Sequence, residues 1–311
     1  PLEFPELAFK TGRGGYTESN EYFVPSDGLS VKPWSNVVAN DKIGFIVTET
    51  GGGFTYFSSS RENKISSYSG DSVLDPCSER IVLCECGNRW QITRDGIKNG
   101  ENKNAKYYAL HGLGYSEFVC AYNGFIAKLT EFTGVGKVKY YLVSIENKTS
   151  DKREITVSAE IDLTLGDFRR KTLPSLNAYK SGENLKAKCF LTGTEVELAC
   201  SRAVSGYAFS SDGEVEKNNG TLVLKTDLKF EPNGKSEVVF ALFDEYRPNF
   251  ENLRSVLTER KKYFSELYRI SVVSGCDELG AIQNRLMYQT LCSRFLARNE
   301  QGMVVGNFTI V

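Results

Sequence analysis

Residues 153–166 read REITVSAEIDLTLG, and in them Ile155, Val157, Ala159, Ile161, Leu163 and Leu165 alternate without a break with Glu154, Thr156, Ser158, Glu160, Asp162 and Thr164. A period of two held over so many residues is satisfied only by extended backbone with one face in a core and one in water. The stretch therefore predicts a half-buried antiparallel strand. TLVLKTDLKF alternates as well, through Leu222, Leu224, Leu228 and Phe230, and EVVFALF (237–243) follows the turn Pro232-Asn233-Gly234. Further turn signals stand at Asn123-Gly124, Asp212-Gly213 and Asn219-Gly220. No segment of helical period interrupts the first 245 or so residues, so the predicted class is mainly β, a large sandwich of two antiparallel sheets over residues 1–246.

The pattern changes at Arg247-Pro248-Asn249. Phe250, Leu253, Leu257, Phe264 and Leu267 fall at helical spacing between charged residues, and a second helix, after the break SVVSGCDE, holds Tyr288, Leu291, Cys292, Phe295 and Leu296. These predict helices over about 250–269 and 278–299, forming a short helical linker over 247–299. The last segment, EQGMVVGNFTIV (300–311), has no period.

Bulk properties narrow the function classes. The 311 residues are 41% hydrophobic, enough for a sizeable core, and 38 basic residues balance 39 acidic ones. Such a chain generates no long-range field to draw phosphate backbones or anionic lipid, which argues against nucleic acid as a partner. PLEFPELAFKTGRGGY lacks a basic then apolar leader, and nowhere do the roughly 18 to 20 apolar residues of a membrane span occur together. The expectation is a cytoplasmic protein without membrane association. Eight scattered cysteines are expected to be reduced. Cys84-Glu85-Cys86, with one histidine in the chain and no second cysteine pair nearby, falls short of a zinc site. Sequons at Asn147, Asn219 and Asn307 occur at about chance frequency.

Chemistry-bearing residues are sparse. Gly51-Gly52-Gly53 is followed by the strand-like FTYF and not by a helix N-terminus, so it reads as a turn rather than a phosphate cradle. His111 has no evident nucleophile or carboxylate set around it in YYALHGLGYSEF and reads as a packed residue. Asp162 and Asp167 could form a carboxylate pair for glycoside chemistry, but solvent-face alternation explains Asp162 without any function. No complete catalytic set emerges from the residues.

The block KPWSNVVANDKIGFIVTETGGGFTYFSSSRENKISSYSGDSVLDP carries Pro33-Trp34, Asn36, Asn40, Gly44-Phe45, Gly53, Ser60-Arg61-Glu62-Asn63 and Asp75-Pro76. In these positions it resembles glycoside hydrolase family 94, formerly glycosyltransferase family 36, which holds cellobiose, chitobiose and oligoglucan phosphorylases and the phosphorylase-like region of cyclic β-1,2-glucan synthases. HGLGYSEF (111–118), the strand ending Leu165-Gly166 and LMYQTLCSRFLARN (286–299) are similar to the same family. The resemblance runs from Pro33 to Asn299, and the Ser-Arg-Glu-Asn block is closest to the oligoglucan and cyclic-glucan branch.

The resemblance implies a galactose-mutarotase-like super-sandwich, a helical linker and then an (α/α)6 barrel that carries the catalytic aspartate. Phosphorolysis with inversion uses inorganic phosphate as co-substrate and nucleophile, so it needs one general acid and no cofactor. The barrel has no counterpart in these residues, residues 300–311 depart from the family, and no residue is assigned as catalytic or as a metal ligand. The implied role is the N-terminal carbohydrate-associated domain of a β-glucan phosphorylase or glucan synthase, inactive alone. A stand-alone carbohydrate-binding or oligomerisation module is the alternative, and a mutarotase-like sugar enzyme would need a histidine and carboxylate set that one histidine hardly supplies.

In family members a loop of this domain borders the active site of a dimer partner, which makes a homodimer and a β-linked glucan the implied partners. Arg61, Glu62 and Asn63 are then candidate sugar-hydroxyl ligands, and Phe54, Tyr56 and Phe57 candidate apolar platforms for a sugar ring. An internal Arg61–Glu62 ion pair bracing the loop explains the first two equally well. The second helix, lacking the barrel it would pack on, is expected to dock its apolar stripe onto the sandwich.

Overall fold

A computed structural model describes residues 2–25, 32–94, 104–209, 220–267, 277–298 and 304–309, those beyond Ser293 as backbone only. The Asp212-Gly213 turn, Asn219 and Cys276 lie outside the described residues, as does most of the break at 271–278.

Among the described residues, two antiparallel sheets of eleven and nine strands make up the sandwich. In the larger, strands follow one another in the order Phe9–Lys10, Gly15–Tyr16, Tyr22–Pro25, Lys106–His111, Tyr115–Tyr122, Phe125–Thr133, Lys137–Asn147, Lys235–Asp244, Glu195–Cys200, Asn184–Cys189 and Leu176–Ser181. The smaller runs through Gly206–Phe209, Thr221–Phe230, Arg153–Gly166, Lys64–Ser66, Gly53–Phe57, Ile43–Thr48 and Ser35–Ala39, with the hairpin Glu79–Glu85 and Asn88–Gln91 paired onto Arg153–Gly166.

The strand Arg153–Gly166 behaves as its alternation predicts: Ile155, Val157, Ala159, Ile161, Leu163 and Leu165 are all buried between the sheets. Facing them from the larger sheet are Phe118, Leu129, Tyr141, Val143, Phe240 and Leu242. Asn123-Gly124 turns the chain between two paired strands with both residues at positive φ, as a two-residue hairpin requires. The turn at Pro232-Asn233-Gly234 does different work. Thr221–Phe230 pairs with Arg153–Gly166 while Lys235–Asp244 pairs with Lys137–Asn147, so this turn carries the chain from one sheet to the other.

Helices occupy the outside. Among the described residues one helical turn, α1 (Arg169–Thr172), and the 3-10 turn Leu173–Ser175 that follows it interrupt the β region, where the sequence predicts no helix. The linker helix α2 (Leu253–Leu267) lays Leu253, Val256 and Leu257 on the outer face of the larger sheet, over Phe132, Val138, Tyr140, Leu142 and Val239. Leu253 is buried, which stabilises by roughly 1.5 to 3 kcal/mol, and the partly buried Val256 and Leu257 contribute less. The next helix, α3 (Asp277–Cys292), buries Ala281, Arg285, Tyr288 and Cys292, one stripe at helical spacing, against the sandwich. Docking on the sandwich is therefore observed, through Tyr288 and Cys292 of the expected stripe with Leu291 partly buried beside them, while Leu286 and Met287 face outward together with Leu279 and Ile282.

The predicted extent of this helix is corrected. It ends at Cys292, and Arg294–Arg298 is a strand paired with Val304–Thr309, so Phe295 and Leu296 belong to a β ribbon. The β-branched run Val304-Val305 supplies a pairing partner that helical spacing alone could not reveal.

Candidate functional site

The loop that carries Arg61, Glu62 and Asn63 projects from a tightly built hairpin. Ile43–Thr48 turns into Gly53–Phe57 through Thr50-Gly51-Gly52, closed by Thr48 N–H donating to Gly52 O at 2.7 Å. Gly53 sits at φ +143°, and a Cβ there would collide with the carbonyl oxygen of Ile46. The glycine triplet is thus a strand turn, as its sequence context predicts. At the other end of Gly53–Phe57, Ser58 adopts a left-handed φ of 59° and donates its N–H to Lys42 O at 2.9 Å.

Backbone and side-chain bonds then fix the loop. Asn63 N–H donates to Ser59 O at 3.0 Å and Glu62 N–H to Ser59 Oγ at 3.2 Å. Lys64 Nζ donates to Arg61 O at 3.2 Å and to Asp167 O at 3.1 Å, and Thr194 Oγ1 donates to Asn63 Oδ1 at 3.3 Å. Burial pushes the Lys64 ammonium below its usual range; Asp167 opposes this in part and Arg61 adds to it. Three loops therefore meet at one end of the sandwich: 58–64, 166–172 and 190–194.

The side chains at this end divide sharply. Arg61 and Glu62 are exposed and, among the described residues, form no ion pair, so the bracing explanation finds no support there. Asn63 is half-buried. Phe57 is 1% exposed in the inter-sheet core, and Phe54, 5% exposed, stacks on Tyr68 with ring centroids 4.7 Å apart. Tyr56 is half-buried, and burial raises its hydroxyl pKa to about 12. Phe54 and Phe57 accordingly have no free face for a sugar ring, which corrects their proposed role as platforms. The run GFTYF lies in a strand covered on both sides, and Tyr68 supplies the second cover. What the sequence reading missed are Phe168 and Phe190, both largely exposed on the neighbouring loops, with Lys64 Nζ 5.7 Å from the Phe168 ring centroid. Their signal was present: each is a large apolar residue just beyond a strand end, at Gly166-Asp167-Phe168 and Cys189-Phe190.

Other candidates resolve into structural roles. Asp162 takes a bidentate pair from Arg80 at 2.6 and 3.0 Å, while Asp167 pairs with Lys171 at 2.6 Å. The two carboxylates have different partners and form no pair. His111 is buried, its Nδ1 3.0 Å from Ser116 Oγ, and its pKa is pushed down to about 3 by burial first and by the Arg285 charge second. Among the described residues no cluster of His, Cys, Asp or Glu could hold a metal ion, and no helix is long and apolar enough to cross a membrane.

One charged group missed by the sequence reading lies inside the sandwich. Lys139 Nζ contacts Glu79 Oε2 at 2.5 Å and Glu131 Oε2 at 2.9 Å, all three buried, with the Phe45 ring centroid 4.0 Å away and Tyr141 Oη donating to Glu79 at 2.6 Å. Burial raises Glu131 above the usual carboxylate range, helped by Glu79 and only partly offset by Lys139. Burial acts the same way on Glu79, but Lys139 and the hydrogen bonds from Lys139 and Ser66 outweigh it and hold Glu79 low. The parity of Lys139 with Tyr141, Val143 and Ile145 in KVKYYLVSI was the available signal. The cluster is sealed from solvent and braces the core.

Comparison with known proteins bears on the family. A family model described as Glycosyl hydrolase 94, supersandwich domain, matches residues 20–180. The cyclic beta-(1,2)-glucan synthase NdvB of Rhizobium meliloti (strain 1021) is 24% identical over 99% of this chain and 12% of its own length. N,N'-diacetylchitobiose phosphorylase of Vibrio furnissii is 25% identical over 47% of this chain and 18% of its own. Solabiose phosphorylase of Paenibacillus borealis is 28% identical over 51% of this chain and 21% of its own. The chain thus corresponds to a small part of each of these curated relatives.

Proposed function

The chain belongs to the glycosyl hydrolase 94 supersandwich family, and from that membership we propose that it serves as the carbohydrate-associated accessory domain of an inverting β-glucan phosphorylase or a cyclic-glucan-synthase-like glycosyltransferase. The observation that carries this reading is the loop at 58–64. Arg61 and Glu62 project into solvent from a loop whose Arg61 carbonyl accepts from Lys64 and whose Asn63 side chain accepts from Thr194; the exposed Phe168 ring lies near Lys64, and the exposed Phe190 is on the loop that carries Thr194. A guanidinium fork, a carboxylate and an amide next to apolar rings suit a sugar, whose hydroxyls both donate and accept and whose C–H face is apolar. Phosphate would be a co-substrate of the complete reaction, not a cofactor of this domain. In this reading bond cleavage belongs to another part of the enzyme, as the family resemblance implies.

The test has two arms. Incubated with a β-glucan and phosphate, the purified chain releases no glucose 1-phosphate. Titrated with cellotetraose or sophorotetraose, it shows amide shifts at Ser59–Lys64, Phe168 and Phe190, and Arg61→Ala with Glu62→Ala weakens binding about tenfold or more at unchanged melting temperature. Phosphate-dependent turnover that survives repurification overturns the accessory role, and absence of shifts at this loop removes it from sugar contact.

A second reading, an oligomerisation module in a homodimer, draws on the outward stripe Leu279, Ile282 and Leu286 of α3. Light scattering decides it. A mass of two chains that falls to one in Ile282→Glu with Leu286→Glu supports the module, and a single-chain mass in the parent protein excludes it.

A further inference from the structure

The outer face of the smaller sheet holds a groove of about 640 Å³, bordered by Pro76, Arg80, Asn88, Arg89, Gln91 and Glu160. That size falls within the roughly 300–1,000 Å³ common for small-ligand sites. Its position follows from strand parity. Arg153–Gly166 sends Ser158, Glu160 and Asp162 away from the core, Glu79–Glu85 sends Arg80, and Asn88–Gln91 sends Arg89 and Gln91. The groove is separate from the loop at 58–64: Glu160 precedes Asp167 by seven residues, roughly 20 Å along an extended strand.

Its polar groups form a continuous ladder. Arg89 Nη2 donates to Glu160 Oε1 at 2.6 Å, and Ser158 Oγ donates to the same oxygen at 3.1 Å. Arg80 Nε lies 3.6 Å from Glu160 Oε2, while its two Nη atoms donate to Asp162 at 2.6 and 3.0 Å and Nη1 also to Cys77 O at 2.6 Å. Thr221 Oγ1 closes the row on Asp162 Oδ1 at 2.6 Å. The side chains of Arg80, Glu160 and Asp162 are 14–19% exposed and that of Arg89 is 57% exposed. The floor is held in place, and Arg89, tied to Glu160 through Nη2 alone, is exposed enough to turn its remaining N–H donors toward a ligand.

The chemistry selects a class of ligand. Two guanidiniums and two carboxylates cancel, so an anion approaching Arg89 meets Glu160, and a cation approaching Glu160 meets both arginines. A neutral polyol uses both signs: carboxylate lone pairs accept its hydroxyls, Arg89 donates, and the amides of Asn88 and Gln91 do each. Planar groups already fixed by ion pairs lose little rotamer freedom on binding. We propose that this groove is a second glycan-binding site, for a neutral β-linked gluco-oligosaccharide. It rests on the reading of the chain as a carbohydrate-associated domain.

The experiment is an amide-shift titration of the folded chain with cellotetraose and sophorotetraose, with pyrophosphate as the anionic control. Shifts at Gly87–Gln91 with either sugar, and at least a tenfold weaker response there in Arg89→Ala and in Asn88→Ala, are expected. Asn88 lies at an exposed hairpin end, so its variant reports on binding even if Arg89→Ala disturbs Glu160. Three outcomes overturn the proposal: no sugar shifts at Gly87–Gln91, shifts that persist in both variants, or shifts with pyrophosphate alone. Shifts at Ser59–Lys64 without any at Gly87–Gln91 sink the groove and leave the proposed function standing. Shifts at neither segment sink both.

Discussion

Arg285 Nη2 donates to Asn36 Oδ1 at 3.1 Å, and Asn36 Nδ2 in turn donates to Gly112 O, Tyr115 O and Ser116 Oγ at 3.0, 2.8 and 3.0 Å. The other guanidinium nitrogen, Nη1, donates to His111 O at 2.8 Å. One buried amide thereby ties an edge strand of the smaller sheet, the HGLGYS turn of the larger sheet and helix α3 into a single network.

Arg285→Ala leaves a buried amide oxygen and a carbonyl short of a donor, and it is expected to cost about 2–4 kcal/mol by urea denaturation. Tyr288→Phe, which removes the 2.6 Å bond from Tyr288 Oη to Val37 O, is expected to cost about 1 kcal/mol. Both losses should be the same at dilute and concentrated protein, because the contacts are within one chain. A loss that grew on dilution would place them between chains.

The His111 imidazole is expected to remain neutral well below pH 6.5, since burial and Arg285 hold its pKa near 3. The unfolded chain binds a proton at that position near pH 6.5 and the folded chain does not. Its contribution to stability is therefore intact above pH 6.5 and drains away as pH falls toward 3. His111→Gln should flatten this acid limb in a series of urea titrations. An unchanged limb would show that His111 charges in the native state.

Glu131 acts in the opposite sense. Its native pKa is raised, so its contribution is full below the ordinary carboxylate value of 4.5 and is lost as pH rises through the native value. Glu131→Gln should stabilise at neutral pH relative to the parent, with the gain fading below pH 4.5. Lys139→Met, by contrast, strands Glu79 without its cation and is expected to cost about 3–5 kcal/mol at neutral pH. A Glu131→Gln difference independent of pH would mean that the carboxyl is ionised in the fold.

All eight cysteines should titrate with a thiol reagent in denaturant without reductant; the seven within the described residues are free thiols. In the native protein Cys86, exposed on the hairpin, should react first. Cys120 should lag, buried and with its thiol pushed up to about 12 by that burial. A denatured count of six or fewer would reveal a disulfide.

The strands were legible where one face is dry and the other wet. Arg153–Gly166 could be read residue by residue because its outer face is polar throughout while its inner face meets the other sheet. Gly53–Phe57 could not, since both of its faces are covered and period two carries no information about a second cover. The aromatics expected to meet sugar are for that reason inside, whereas Phe168 and Phe190, on loops with no period at all, are outside. Arg61, Glu62 and Asn63 stood out only through the family resemblance, and the neighbours of this loop at Asp167 and Thr194 come from more than a hundred residues away. The end of α3 was misread because Phe295 and Leu296 continue its helical spacing, while the partner strand Val304–Thr309 lies beyond any local window.

The central pairing of the larger sheet, Lys137–Asn147 with Lys235–Asp244, joins segments nearly a hundred residues apart. Synthesis at about 5–20 residues per second leaves the first of these with a bare edge for roughly 5 to 20 s before its partner is made. During that interval the nascent chain presents a complete template for another strand, and its own Phe125–Thr133 hairpin covers only the opposite side. The last three strands of the sheet, from Glu195–Cys200 to Leu176–Ser181, are translated before the strand that anchors them and attach only when it arrives. For this fold, crowding on a polysome is a hazard set by the order in which strands are made rather than by their final stability.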